Sequence, residues 1–176
     1  MSTGTVMQAQ QGQYPAGARD SRASNRVPGY APVLISGNAR ELLNTFRWNQ
    51  MPVDLRIERS MVSAAVELSL EDGELKEELL VNARAKIGGE GPDGCREGNV
   101  PGYVAVLIRD GLKQQVRYVG QTNELSESMY QMERVLVTAA IELVVQTKRV
   151  HEHWVNLISK TVGWEVGFCY RNARAG

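Results

Sequence analysis

Apolar and polar residues alternate over two stretches of this chain. Val53, Leu55 and Ile57 alternate with Asp54, Arg56 and Glu58, and then Val62, Ala64, Val66, Leu68 and Leu70 alternate with Ser63, Ala65, Glu67 and Ser69. A period of two is the signature of a half-buried strand. Asp72-Gly73 follows and suits a type I′ hairpin turn, whose two central residues need positive φ. On the return, Leu79, Val81, Ala83, Ala85 and Ile87 hold the apolar positions. A two-residue turn then sets Val66 opposite Leu79, Ala64 opposite Val81 and Val62 opposite Ala83, all on one face. Glu, Leu and Ala in this window also suit a helix; the hairpin is the preferred reading. A second hairpin is expected from Tyr103–Arg109 through Asp110-Gly111 to the return strand Leu112–Val119.

Helical spacing governs the rest. Asn38–Trp48 reads as a short helix with Leu42, Leu43 and Phe46 on one side, closed by Pro52. From Glu124 to about Val162, Leu125, Met129, Met132, Leu136, Ala139, Leu143, Val150, Trp154 and Leu157 recur at intervals of three and four, with Thr122 or Asn123 as cap. The pattern is long for one helix, so a break is expected between Thr147 and His151. Trp164, Val166, Phe168 and Tyr170 alternate again, as one last strand. Residues 1–32 are a low-complexity arm rich in Gly, Ser, Gln, Ala and Pro, and residues 33–176 are a single domain. The expected class is α+β: an antiparallel β-sheet of two or more hairpins, covered on one face by a long C-terminal helix or helix pair, plus the final strand. The two hairpins are similar in design, and no further internal repeat is read.

Composition narrows the function classes. Twenty basic side chains balance twenty acidic ones, so any polyanion contact must come from a local patch rather than from net charge. No apolar run reaches the roughly 18 residues of a membrane helix, and the first residues lack a signal-peptide pattern. Cys95 and Cys169 are too few for a disulfide scaffold or a cysteine zinc cluster. The expected setting is reducing, cytoplasmic or a virion.

Two surfaces follow from the expected fold. The segment Val135–Val145 carries Glu142 as its single charge, and its outer face holds Ile141 and Val145 where polar residues belong. A second subunit is the simplest cover for these two, with the segment 33–50 as the alternative. The open sheet face would present Arg84, Lys86, Lys113 and Arg117 without acidic cross-strand partners, a pattern suited to phosphates as well as to ordinary solvated sheet.

Other chemistry is thin. His151 and His153 stand at i and i+2, which point apart on a helix. Cys95 beside Arg96 has no neighbouring histidine. GGEGPDG is glycine-rich, but it lacks the strand–GxGxxG–helix pattern. Neither a cofactor nor a metal is expected. Residues 92–133, PDGCREGNVPGYVAVLIRDG…GQTNELSESMYQME, resemble the start of a ribonuclease H domain, which makes Asp93 and Glu133 the matching carboxylates. That family needs a further acid on the following strand, where this chain has Ser159, Lys160 and Thr161, so no two-metal enzyme is expected. The architecture over residues 53–162 resembles a single-stranded RNA phage coat protein. That resemblance implies a sheet face on RNA and helices interlocked with a partner subunit. The expected function is a non-enzymatic, self-assembling structural protein contacting nucleic acid, single-stranded RNA by preference. The alternatives are a ring-forming single-strand-binding or annealing protein and a protein–protein adaptor.

Overall fold

The computed structural model describes residues 27–46, 54–90 and 100–162. In chain order these form β1 (Tyr30–Ser36), α1 (Gly37–Thr45), α2 (Leu55–Glu71), α3 (Gly73–Glu90), β2 (Tyr103–Arg109), α4 (Asp110–Thr122), α5 (Met129–Gln146), a 3₁₀ turn (Lys148–Val150) and α6 (His151–Val162). Among the described residues the architecture is mostly helical, with one two-stranded antiparallel sheet. It overturns the expected sheet of hairpins under a C-terminal helix.

Both expected hairpins are instead boundaries that open a helix. Asp72 Oδ1 accepts the Leu75 N–H at 3.1 Å and so caps α3, with Gly73 as its first residue. Asp110 stands in the first turn of α4, where its charge complements the helix dipole. Neither Gly73 nor Gly111 has positive φ. The alternation misled because α2 is covered on almost every side: Val62, Ser63, Ala64, Ala65, Val66, Leu68 and Ser69 are all buried. A helix buried all round is free to place apolar residues at any spacing. Its small serines are as enclosed as its valines. The expected return strand 112–119 lies in α4, and β2 pairs with β1.

The expected short helix is present as α1, and the expected break after Gln146 falls at Thr147 and the 3₁₀ turn. The cap of α5 is Ser128, whose hydroxyl accepts from the Gln131 amide, rather than Thr122 or Asn123. β1 begins at Tyr30, inside the stretch assigned to the arm. The expected strand 164–170 lies outside the described residues, as do residues 91–99 of the glycine-rich loop.

The strand pairing exposes a repeat in the sequence. Val27-Pro28-Gly29-Tyr30 and Val33-Leu34-Ile35 recur 73 positions on as Val100-Pro101-Gly102-Tyr103 and Val106-Leu107-Ile108. Glu58-Arg59, Val62, Ala64-Ala65 and Glu67-Leu68 recur 75 positions on as Glu133-Arg134, Val137, Ala139-Ala140 and Glu142-Leu143, with Ser63 answered by Thr138. The described residues form two copies of one β-α-α-α unit. In the ribbon, Val33 is the Cα partner of its own repeat equivalent, Val106, so a pseudo-twofold axis passes between them.

Matching contacts surround that axis. Gly29 and Gly102 both take positive φ, +79° and +83°, a backbone that favours glycine because it lacks Cβ. Their carbonyls accept from Asp110 and Gly37 respectively, each at 2.9 Å. The Ser36 N–H donates to Thr138 Oγ1 at 3.1 Å, and the Arg109 N–H to Ser63 Oγ at 3.2 Å.

Each half closes the core of the other. α3 packs on α5, and α6 packs on α2. The inward residues correspond: Leu75, Leu79 and Ala83 on α3 match Val150, Trp154 and Ile158 at and beyond the 3₁₀ turn, and all are buried. The indole N–H of Trp154 donates to the Met61 carbonyl at 3.1 Å, so the largest buried side chain leaves no polar atom unmatched.

Candidate functional site

The four cations expected on a sheet face stand on helices. Arg84 and Lys86 belong to α3, and Lys113 and Arg117 to α4. Arg84 donates to the Asn123 carbonyl at 3.4 Å, and Lys86 pairs with Glu142 at 2.8 Å. Lys113 and Arg117, one turn apart, both point inward to Glu133; Lys113 lies at 3.7 Å and also donates to the Pro32 carbonyl at 2.9 Å. Two cations on a buried carboxylate leave little charge for a phosphate. In the first half, Arg40 meets the equivalent Glu58 at 3.1 Å. The pair is thus part of the repeat's own framework.

Ile141 is fully enclosed by the chain itself, so the premise that it lacks an intrachain cover falls. α5 is surrounded by β1, α1, α2, α3 and α4, which a single small sheet could not have provided. Val145 is half-buried and packs against the same core.

A second polar cluster ties the halves together. Glu90, the last residue of α3, accepts from the Tyr103 hydroxyl at 2.8 Å, from Gln131 Nε2 at 2.8 Å and from Arg134 Nη2 at 2.9 Å. Arg134 also lies over the Tyr103 ring, 5.5 Å from its centroid. Partial burial raises the Glu90 carboxyl, but its three donors outweigh this and hold it below the usual carboxylate range. Burial first, and then the hydrogen bond to Glu90, push the Tyr103 hydroxyl up to about 12. No sequence motif marks this cluster; Glu90 is the closing residue of GGE in a stretch that reads as loop.

The remaining exposed surface is uneven. With Lys113 and Arg117 turned inward, α4 shows solvent Gln114, Gln115, Tyr118, Gln121 and Thr122, with the exposed Asp110 at the start of that face. Tyr118 is 70% exposed. The neighbouring start of α5 adds exposed Met129 and Tyr130. The two segments are locked together where Gly120 admits Met132: a Cβ on Gly120 would sit 2.7 Å from the Met132 sulfur and 3.0 Å from its Cβ.

His151 Nε2 lies on the Val144 and Val145 carbonyls at 2.9 and 3.0 Å, and its ring meets Phe46 edge-on, while His153 is exposed. Among the described residues no group of three or more His, Cys, Asp or Glu side chains is placed to hold a metal. Of the ribonuclease H carboxylates, Glu133 is committed to Lys113 and Arg117, Asp93 lies outside the described residues, and Ser159–Thr161 belong to α6 rather than a strand. Among the described residues no helix is long and apolar enough to cross a membrane. Comparison with protein-family profiles, with curated proteins and with solved structures finds no match for this chain.

Proposed function

We propose that this chain is a non-enzymatic assembly module that associates with further copies of itself through the outer face of α4 and the adjoining start of α5. One observation carries the reading: α4 turns both of its cations inward to Glu133 and shows solvent a face centred on Tyr118 whose charge is confined to Asp110 in the first turn, beside Met129 and Tyr130. Depletion of charge with enrichment of Tyr and Met is the composition of a protein–protein contact. A solvated helix face ordinarily carries Lys and Glu, as α3 does with Lys76, Glu77 and Arg84. The self-association expected from the sequence is therefore kept, and its site moves from Ile141 and Val145 to α4. The nucleic-acid contact expected at Arg84, Lys86, Lys113 and Arg117 loses its argument, because that argument required unpaired cations on one flat face.

Light scattering on the size-exclusion peak tests this. The full chain should run as a dimer or larger species at micromolar concentration, and Tyr118→Glu should shift it to monomer with an unchanged circular dichroism spectrum. A wild-type monomer at 100 μM (roughly the weak limit of specific contacts) overturns the reading, as does an oligomer that Tyr118→Glu leaves intact. Absorbance at 260 nm across the same peak, at low and high salt, reports whether nucleic acid accompanies it.

A further inference from the structure

One aromatic–guanidinium pair occurs in both halves of the fold, and the second half shows what it holds. Arg134 lies over the Tyr103 ring, and the carboxylate of Glu90 completes the pair. The Tyr103 hydroxyl donates to one carboxylate oxygen at 2.8 Å, while Gln131 Nε2 and Arg134 Nη2 donate to the other at 2.8 and 2.9 Å. The first half repeats the donors. Tyr30 is the repeat equivalent of Tyr103, and Arg59 of Arg134. Arg59 lies over the Tyr30 ring, 5.3 Å from its centroid. Arg56 stands at the repeat position of Gln131. The difference is the acceptor: neither the Tyr30 hydroxyl nor the Arg59 guanidinium meets a carboxylate among the described residues.

The geometry suits an incoming acid. Stacking on a phenol ring fixes the guanidinium plane and leaves its N–H fork for a carboxylate. Tyr30 and Arg59 are half-buried, so the pair is arranged and still reachable from solution. Partial burial also strengthens a charge-assisted bond relative to one in open water. Arg109, Arg117 and Arg149 differ from Arg59 in that each already meets an acid of the chain.

We propose that Tyr30 and Arg59 bind a carboxylate carried by another molecule, in the way that Tyr103 and Arg134 hold Glu90. Glu90 closes the run Ile87-Gly88-Gly89-Glu90, so the acid this fold itself places on such a pair is a glutamate side chain preceded by two glycines. The site is independent of the α4 surface.

Two-dimensional NMR of the full-length protein at pH 7 tests the assignment. The probes are sodium acetate and the capped peptide Ile-Gly-Gly-Glu, with sodium chloride at matched ionic strength as the blank. The Arg59 Nε–H and Tyr30 ring signals should shift and saturate with a Kd of about 5 mM for acetate, the affinity of two charge-assisted bonds. The Arg134 and Tyr103 signals should stay in place, because Glu90 already holds both. Tyr30→Phe keeps the ring, deletes the hydroxyl and should raise the Kd about tenfold, and Arg59→Met should abolish saturation. The wild-type titration decides even if Arg59→Met fails to fold. A peptide Kd about fivefold or more below that of acetate assigns the carboxylate to a protein segment, and equal values assign it to a small acid. Shifts that never saturate, that chloride reproduces, or that both variants leave unchanged overturn the proposal. Saturation by inorganic phosphate but not by acetate overturns the carboxylate.

Discussion

Replacing Glu90 by alanine removes one acceptor from three donors at once. The Arg134 side chain is only 1% exposed, against 16% for Glu90, so the guanidinium cannot turn to water when its carboxylate is lost. Breaking a buried ion pair from one side costs about 3–5 kcal/mol. The opening left by Glu90 admits some solvent, which puts the ionic share near the low end, about 3 kcal/mol. Tyr103 and Gln131 each lose a charge-assisted bond, and water restores part of both, which adds about 1 kcal/mol together. The sum, about 4 kcal/mol, is a large fraction of a domain's usual 5–15 kcal/mol. With a urea slope of about 2 kcal/mol/M, the midpoint should fall by about 2 M. Circular dichroism at 222 nm is a suitable signal because the fold is mostly helical. Glu90→Leu with Arg134→Met should be no less stable than Glu90→Ala, since an apolar pair removes the buried charge together with its carboxylate. A loss below about 1 kcal/mol for Glu90→Ala, or a double variant well below the single, would refute the view that this carboxylate joins the halves.

Further outcomes follow from other parts of the structure. The Tyr103 hydroxyl, with its folded value raised to about 12 from 10.0, contributes stability that is full below pH 10 and lost as pH rises towards 12; Tyr103→Phe should flatten the alkaline limb of a stability–pH curve. Glu90, held below its ordinary range, contributes stability that is present above the unfolded value and lost as pH falls through the folded one, so Glu90→Gln should flatten the acid limb. Gly29→Ala and Gly102→Ala should each cost about 1–2 kcal/mol in chemical denaturation, by similar amounts, because the two glycines share one backbone conformation. Ile141→Glu should yield insoluble or unfolded protein by circular dichroism rather than a folded monomer, since its site is core; a folded monomer would restore it as a contact between copies.

What the sequence made legible depended on how many sides of each element are buried. α1 and the long C-terminal helical stretch with its break were readable because Leu43, Trp154 and their neighbours follow helical spacing. α2 was not, because serine and alanine occupy buried positions and imitate alternation. The Asp-Gly pairs offered two meanings, a hairpin turn or a helix start, and the choice rested on what followed; Glu74, Glu77 and Glu78 after Asp72 favour a helix. The strand Tyr103–Arg109 is legible in its apolar run, but its partner stands 73 positions away, with Val33 opposite Val106, rather than just beyond the next turn. The repeat itself was visible in Val-Pro-Gly-Tyr alone. Its first copy falls within residues 1–32, where the surrounding Gly, Ser, Ala and Pro mask it. The inward turn of Lys113 and Arg117 was beyond reach without knowing that α4 lies on Glu133.

The interlocking of the two halves has a consequence for how the protein is made. A ribosome that has released only residues 1–90 has produced β1 without a strand to pair with, and an α2 whose α6 cover has yet to be synthesised. Local helices form within microseconds, but pairing across so long an interval is slow because loop closure precedes any gain. The emerging chain must therefore wait, with Ile35, Met61 and Val66 bare to solvent, until translation reaches α6. Early termination anywhere before Trp154 should leave a product that chaperones retain or proteases remove. Codon-level slowing between the halves would lengthen that exposure rather than relieve it.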